Sequence, residues 1–479
     1  MSTPSAVFDR RRGIAPLGHK QQARLGTSAS LADWPHTTRL LPWGVAGFMA
    51  MVFLFPFANT ELPFSLPLDA KLDRPVLFLL FAVWIVSLSS VTGARRLGLS
   101  RVHRAWGVFA LIAITSIAAN FDTLDRLGQA SLGVKKMALL FSYALLFVIV
   151  ASAIRPTEVP KLTAFMVFLA SVTAVGVIVE YRTGYNAFYD IGEKLVPGVS
   201  PPADIGGYDS IGRKTVVGPG FHPLAAAMML SLVLPFAVVG VLRSEQRRSK
   251  VLYGLAACLM LGGAVATQRK TAFVVPMLSL VVLAANRPRM AIKSLPLGLV
   301  LGFLIAGIAP GALGGVVDQL KPSALTGVLT TKDRVSDYDA IRPEVINHPF
   351  LGRGYETYDQ KRYRILDNQY LTLVVNVGFL GILGYLGIMG SALTLAHRCS
   401  RSRDPDRAWW GVAAAASIIG ITLGSALLDT LALPQLPYVF DFIAAFAVVS
   451  AHGIPSRRKE WRETFLEQAR NPPEAQHAH

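Results

Sequence analysis

Long apolar runs, separated by short charged segments, follow one another along most of the chain. A helix needs roughly 20 apolar residues to cross the hydrocarbon core of a bilayer. The runs therefore predict an all-α polytopic membrane protein with about 12 transmembrane helices. The predicted spans are 38–57, 75–92, 105–119, 136–154, 160–180, 223–242, 251–266, 271–286, 294–313, 368–396, 408–428 and 437–453.

The polar segments divide the chain further. We expect residues 1–37 to form a disordered, basic cytoplasmic tail, residues 38–453 the transmembrane domain, and residues 454–479 a second cytoplasmic tail. Two extracytoplasmic loops are long, 181–222 and the larger 314–367, which lies between spans nine and ten. Helical spacing from Lys332 to Ile346, followed by His348-Pro349, predicts a short helix inside the second loop.

The distribution of Lys and Arg predicts the orientation. Cytoplasmic loops collect these residues, and with the amino terminus inside, more than half of the 47 fall on inner segments. Both termini are therefore predicted to be cytoplasmic. The net charge of +17 is then a topology signal, helped by attraction to anionic membrane lipid, so we expect no nucleic-acid partner.

Composition excludes two further classes of protein. Hydrophobic residues make up 52% of the chain, which does not describe a soluble domain. Of the two cysteines, Cys258 lies in an apolar run and Cys399 in a basic loop. Neither a disulfide framework nor a thiolate metal site is available to them.

Two consecutive cations, Arg269 and Lys270, occupy a tight turn between spans seven and eight on the predicted outer face. One interpretation is that they are interfacial anchors whose charged ends reach water. The other is a functional role, because a guanidinium fork matches diphosphate oxygens in two-point geometry. The turn works against the orientation rule, which favours the functional interpretation for Arg269.

Carboxylates on the outer face also have two interpretations. Asp367, at the mouth of span ten, suits the N-cap of that helix and also a general base that faces a lipid-linked donor, and the two roles are compatible. Glu356 and Asp359 are expected to be solvated loop charges, paired with Arg362 or Lys361. Within or near the spans, Asp429 and Asp441 are the main ionisable exceptions.

Four stretches, in order, resemble the O-antigen ligase and polymerase family of bacterial membrane glycosyltransferases. The first two are "GRKTVVGPGFHPLAAAMMLSLVLP" (212–235), similar to an arginine followed by Gly-x-Phe and Asn/His-Pro, and "TQRKTAFVVPMLSLVVL" (267–283), similar to a Ser-Arg-Gly/Thr turn. The others are "KDRVSDYDAIRPEVINHPFLGRGYETY" (332–358), similar to an outer helix ending in His-Pro-x-x-Gly-x-Gly, and "LDNQYLTLVVNVGFLGILGYLG" (366–387), similar to His-Asn-x-x-Leu with Gly-x-x-Gly. The resemblance covers roughly residues 210–430.

The resemblance implies a reaction and a set of residues. The donor would be a polyprenyl-diphosphate-linked glycan and the acceptor a glycan or lipid-linked glycan, in the inner membrane of a bacterial cell. It implies catalytic roles for Asp367, Arg269 and Arg334. Further candidates for substrate binding are Arg213, His222, Arg342, Arg353 and Lys270.

One departure from the family pattern changes the expected activity. Where the ligases have a histidine, this chain has Asp367. The departure favours polymerisation of an exopolysaccharide, capsule or related cell-envelope glycan over ligation to lipopolysaccharide. A chain-length regulator is a possible partner of such a polymerase.

The implied mechanism needs neither a cofactor nor a metal, because diphosphate is already a good leaving group. The outer arginines would hold the diphosphate and stabilise its charge as the anomeric bond breaks. An acceptor hydroxyl, deprotonated or oriented by Asp367 or a nearby group, would attack from the opposite face and invert the anomeric centre. The isoprenoid chain would bind between spans, at up to ~0.8 kcal/mol per buried methylene.

Two alternatives stay open. A multi-pass transporter or flippase of a lipid-linked glycan has a similar number of spans, but the chain shows no convincing repeat of related halves and few ionisable groups in its spans. A peptidoglycan polymerase of the shape, elongation and division family would share the topology and the donor lipid. Its motifs are not evident in this sequence.

Overall fold

A computed structural model describes residues 32–61, 71–89, 98–202, 205, 207–208, 214–269, 271–286, 288, 329–359 and 362–452, with the backbone alone for 273 and 329–336. The described chain is helical, and we number its α-helices in order. They are α1 Leu40–Leu54, α2 Asp73–Leu88, α3 Arg101–Ala119, α4 Phe121–Arg126, α5 Ala130–Ala153, α6 Val159–Thr183, α7 Ala187–Leu195, α8 Pro223–Arg243, α9 Arg247–Ala266, α10 Thr271–Asn286, α11 Leu329–Asn347, α12 Gln369–Ser400, α13 Pro405–Gly424 and α14 Gln435–Ala451.

Within the described ranges, six helices are long and apolar enough to cross a membrane: α3, α5, α6, α8, α9 and α12. The apolar helices α1 and α14, and the part of α10 from Val274, are shorter. The chain is therefore a polytopic α-helical membrane protein, and the total of twelve spans stays a prediction. Helices occupy the predicted span positions except the ninth, 294–313, which lies outside the described residues.

The core is built around α8. This helix contacts α6, α9, α10, α13 and α14, and nearly every residue from Pro223 to Val239 is buried. A helix that is apolar on all sides is stable only when neighbours surround it. On the periphery, Leu111 of α3 is 62% exposed and Phe168 of α6 is 59% exposed. These outward apolar side chains are what a lipid-facing surface requires.

α12 is interrupted at Gly378, where φ is 70° and ψ is −169°. A Cβ on Gly378 would lie 2.3 Å from the carbonyl carbon of Phe350, so the approach of the two backbones requires glycine. The loop after α11 fills the interruption: the N–H of Phe379 donates to the Pro349 carbonyl at 2.8 Å. The loop thus satisfies a main-chain donor that the break leaves without its helical partner.

The same loop is also held by α3. The Ser116 hydroxyl donates to the Leu351 carbonyl, and the Asn120 amide donates to the Gly352 carbonyl at 3.0 Å. The N–H of Gly354 donates to the Asn376 carbonyl, also at 3.0 Å. The loop that follows α11 is therefore fixed on two sides, although it contains no regular secondary structure.

Residues 32–37, predicted to belong to a disordered tail, are ordered against the α5–α6 connection. The N–H of Trp34 donates to the Glu158 carboxylate at 3.0 Å, and the indole lies 5.4 Å from the ring of Phe165. The prediction was wrong here because tail composition does not reveal one buried aromatic anchor. The rest of both predicted tails lies outside the described residues.

Candidate functional site

The end of the first long loop, residues 214–222, is held against α6 and α7, and we call it the anchored segment. The fully buried Glu180 carboxylate of α6 accepts hydrogen bonds from the N–H groups of Val217 at 3.0 Å and Gly218 at 2.8 Å. Asn186, the N-cap of α7, donates its amide N–H to the Gly218 carbonyl at 2.9 Å. Charge-assisted bonds of this kind give an irregular segment a single conformation.

The anchored segment begins beside the α9–α10 turn. The N–H of Lys214 donates to Oε1 of Gln268 at 2.8 Å, and the Lys214 ammonium donates to the Tyr181 carbonyl at 2.6 Å. Gln268 has a φ of 55°, which turns the chain sharply between the two helices. Lys214 follows Arg213 and Gln268 precedes Arg269, so two arginine-bearing segments meet at this hydrogen bond.

Arg269 is half-buried in the α9–α10 turn. Its carbonyl accepts a hydrogen bond from the N–H of Ala272 at 3.0 Å, which starts α10. Three neighbouring cations were predicted to bind substrate here, and the structure describes one of them, Arg269. Arg213 and Lys270 lie outside the described residues.

His222 closes the anchored segment and caps α8. Its Nδ1 accepts from the N–H of Leu224 at 3.2 Å, and Pro223 occupies the first position of the helix, where its missing N–H costs nothing. The ring is half-buried. Nδ1 therefore serves the helix, and any contact of His222 with a substrate would involve Nε2.

α11 carries two of the predicted arginines. Arg334 lies on its second turn, where the structure describes the backbone alone, and Arg342 lies on an exposed position further along. The buried Asp337 forms an ion pair with Arg364, which ties α11 to the segment that leads into α12. The helix ends at Asn347, immediately before His348-Pro349, as predicted.

Arg353 was predicted to bind substrate, but its guanidinium is engaged within the protein. The residue is 7% exposed and donates to Glu344 at 3.1 Å, and to Gln129 and the Tyr363 hydroxyl at 3.0 Å each. The guanidinium also lies 4.6 Å from the centre of the Tyr363 ring, a cation–π contact. This geometry favours a structural role for Arg353 in shaping the loop after α11.

The structure decides one of the two roles that the sequence left open for Asp367, that of helix N-cap. Asn368 is the N-cap of α12, and its side-chain oxygen accepts from the N–H groups of Tyr370 at 2.9 Å and Leu371 at 3.4 Å. Asp367 precedes the cap and is exposed. The alternative of Asp367 as the helix cap was therefore wrong, because its neighbour has an equally suitable side chain.

Glu356 was expected to be a solvated loop charge, and this expectation was wrong. Its side chain is 10% exposed and its Oε2 lies 3.7 Å from Nζ of Lys136 on α5. Asp429, in the α13–α14 connection, accepts from the Thr372 hydroxyl at 3.1 Å. Burial, and then the charge of Glu356, raise the pKa of Asp429 to about 7. Sequence reasoning missed Lys136, which reads there as an ordinary cation at a span end.

The fold and these segments define a class: a polytopic helical membrane protein whose candidate cations and carboxylates lie on a few tightly fixed loops. Residues 255–386 match the family model described as O-antigen ligase. The match confirms the resemblance to the O-antigen ligase family over this stretch. The match includes the α9–α10 turn, α11 and the break in α12, whereas the anchored segment lies outside it. No curated protein matches the chain.

Proposed function

We propose that the protein is a glycosyltransferase that extends a polyprenyl-diphosphate-linked glycan at the extracytoplasmic face, in cell-envelope or exopolysaccharide synthesis. The hydrogen bond between Lys214 and Gln268 carries this proposal, because it brings two arginine-bearing segments together. Arg269 lies within the stretch that matches the O-antigen ligase family. A guanidinium group suits a diphosphate, which offers several oxygens in a fixed geometry.

The arginines have distinct roles in this proposal. Arg269 and Arg334 hold the diphosphate and stabilise the charge that develops as the anomeric carbon–oxygen bond breaks. Lys270, Arg213, His222 and Arg342 complete the binding surface for the donor. Arg353 acts through the loop that it supports, given its contacts with Glu344, Gln129 and Tyr363.

Polymerisation is the activity that the acceptor side supports better. Asp367 stands where the family's ligases have a histidine, and its exposed position at the mouth of α12 is accessible to a second glycan. The acceptor hydroxyl attacks opposite the departing diphosphate, so the anomeric centre inverts. The reaction proceeds without a metal, because the diphosphate leaves readily once its charge is stabilised.

The setting of the reaction completes the proposal. The protein spans the inner membrane of a bacterial cell about twelve times with both termini in the cytoplasm, and the site faces outward. The donor's isoprenoid chain lies among membrane lipids between helices, which contributes binding energy through apolar burial. A chain-length regulator is the partner that would set the number of sugars added.

A flippase is the alternative, because carriers often contain interrupted helices near their substrates. The interruption of α12 at Gly378 is of this kind, but the backbone of Pro349 and Phe350 fills it. The test is to supply the purified protein with a polyprenyl diphosphate oligosaccharide. Release of polyprenyl diphosphate together with a longer glycan supports the proposal, and movement of intact lipid between leaflets without release contradicts it.

A further inference from the structure

Glu356 has a backbone conformation that its side chain does not favour. Its φ of 51° lies in the left-handed region, where glycine is the usual residue and other residues cost about 1–3 kcal/mol. The loop imposes this conformation, because the N–H groups of Arg353 and Gly354 are bonded to carbonyls of α12 at 3.0 Å each. Glycine would remove the cost, so the presence of a carboxyl group at this position calls for a reason.

The Glu356 carboxyl group is buried without a full set of protein partners. Its side chain is 10% exposed, with Oε2 3.7 Å from Nζ of Lys136. Among the described residues, the buried Oε1 has no hydrogen-bond partner. Buried carboxylate oxygens normally accept hydrogen bonds, because their desolvation is otherwise costly. Oε1 is therefore suited to accept a hydrogen bond from a hydroxyl group that a substrate brings.

Asp429 is a second carboxyl group, and the charge of Glu356 acts on it. It accepts from the Thr372 hydroxyl at 3.1 Å and from the N–H of Ala432 at 3.3 Å. Burial, followed by the negative charge of Glu356, raises the pKa of Asp429 to about 7. The Asp429 carboxyl group is therefore mostly protonated below about pH 7 and mostly ionised above it.

Among the described residues, Lys136 and several tyrosines are titratable groups that interact with the pair. Lys136 of α5 is the cation beside it, and Tyr143, Tyr355 and Tyr385 interact electrostatically with one or both carboxyl groups. Burial raises the pKa of Tyr355 well above its ordinary value, so this phenol stays neutral near pH 7. The charged groups that act on Tyr143 in addition to Glu356 are Asp73, Arg74 and Asp441.

We infer that Glu356, paired with Asp429, receives the proton of the acceptor hydroxyl during glycosyl transfer. This inference rests on the proposed function. The acceptor O–H bond breaks and its proton passes to the carboxylate pair, while the acceptor oxygen bonds to the anomeric carbon. The bond from that carbon to the diphosphate oxygen breaks, and its electron pair leaves with polyprenyl diphosphate.

The position of the pair agrees with this chemistry. Thr372, which contacts Asp429, lies one turn after Asn368, the cap of α12. The pair and the exposed Asp367 are therefore at the same end of α12. Asp367 orients the incoming acceptor at the mouth, and Glu356 takes its proton in a buried, low-dielectric setting where proton transfer is most effective.

The test uses the purified full-length protein, a polyprenyl diphosphate oligosaccharide and a polyprenyl diphosphate release assay between about pH 6 and pH 8. Wild-type turnover should rise about tenfold across this range, because Asp429 ionises and can then take up the proton that Glu356 receives from the acceptor. Glu356→Gln should lower turnover at least about 100-fold at every pH, with little change in the donor KM. Asp429→Asn should abolish the rise with pH.

Two further variants separate catalysis from structure. Glu356→Gly removes the carboxyl group and also relieves the backbone, so it should be as inactive as Glu356→Gln while unfolding at the wild-type temperature or higher. Glu193→Gln, on the exposed face of α7, is the matched control and should retain wild-type turnover. Turnover of Glu356→Gln or Glu356→Gly within about threefold of wild type would overturn the inference.

The two levels of the account fail differently. If the wild-type protein releases no polyprenyl diphosphate, the proposed function fails. If the wild-type protein releases polyprenyl diphosphate and both Glu356 variants release it at the wild-type rate, only the role of Glu356 fails. If turnover of Asp429→Asn still rises tenfold with pH, Asp429 is not the group that causes the rise.

Discussion

The main-chain N–H of Lys214 donates to the side-chain oxygen of Gln268 at 2.8 Å, across 54 residues of sequence. Each partner stands next to an arginine, Arg213 on one side and Arg269 on the other. The Gln268 side chain therefore aligns the first long loop with the α9–α10 turn. The proposed diphosphate site depends on this alignment as well as on its cations.

Gln268→Met should weaken the donor site without removing a charge. Methionine keeps the length of the side chain but cannot accept the Lys214 hydrogen bond, which leaves a main-chain donor unsatisfied at a cost of about 1–3 kcal/mol. We expect the donor KM to rise about tenfold in steady-state release assays. Gln246→Met, at the exposed start of α9, is the control. An unchanged KM in Gln268→Met would show that the alignment is unimportant.

Arg269→Ala and Arg334→Ala should abolish glycan extension and leave membrane insertion intact. Loss of one preorganised charge at the leaving group costs about 10²–10³ in turnover. Glycan length, read on gels after expression, and the amount of protein in the membrane fraction measure the two effects separately. Arg126→Ala, exposed on α4, removes a cation elsewhere and should behave as wild type. Full-length polymer from either site variant would remove that arginine from catalysis.

Asp367→Asn should reduce activity without a loss of stability. Because Asn368 provides the cap of α12, the change should not weaken the helix, whereas the proposed acceptor site would lose its carboxylate. Asn368→Ala should instead lower the free energy of unfolding by about 1 kcal/mol. Thermal unfolding and release assays on both variants distinguish these effects. Wild-type turnover in Asp367→Asn would show that the Asp367 carboxylate is not needed for the reaction.

Gly378→Ala should be severely destabilising, whereas Gly387→Ala on the same helix should not. A Cβ at Gly378 would lie 2.3 Å from Phe350 backbone atoms, and its φ is +70°. At Gly387 no atom lies within 4 Å of the added Cβ, and alanine favours the helix by up to about 1 kcal/mol. We expect Gly378→Ala to lose at least about 2 kcal/mol. Equal unfolding temperatures for the two variants would contradict the docking of the loop into the break.

The helices were largely predictable because a membrane imposes a simple rule. A run of about 20 apolar residues must be helical to satisfy its own backbone, and the observed α8, Pro223–Arg243, reproduces the predicted 223–242 within one residue. The short helix of the second loop was predictable from spacing and from the proline that follows it. Arg269 was singled out because two cations in a tight outer turn oppose the expected charge distribution.

The break in α12 and the pairing of Glu356 could not be predicted in the same way. Hydropathy is continuous through Gly378, and no sequence signal says that the Pro349 carbonyl replaces a helical acceptor. Lys136 and Glu356 are 220 residues apart, and span order does not say which helix ends are neighbours. A loop glutamate is usually solvated. The structure alone shows that the Glu356 side chain is buried, at a residue with a left-handed backbone conformation.

The most direct test of the account is the stoichiometry of the reaction by the purified protein in liposomes. The glycan of a polyprenyl diphosphate oligosaccharide is labelled, and both the polyprenyl diphosphate released and the new glycosidic bonds are counted. We predict equal amounts of the two, with products longer than the donor glycan and neither product formed by Arg269→Ala. Transfer of intact labelled lipid across the bilayer, with no polyprenyl diphosphate released, would contradict the account.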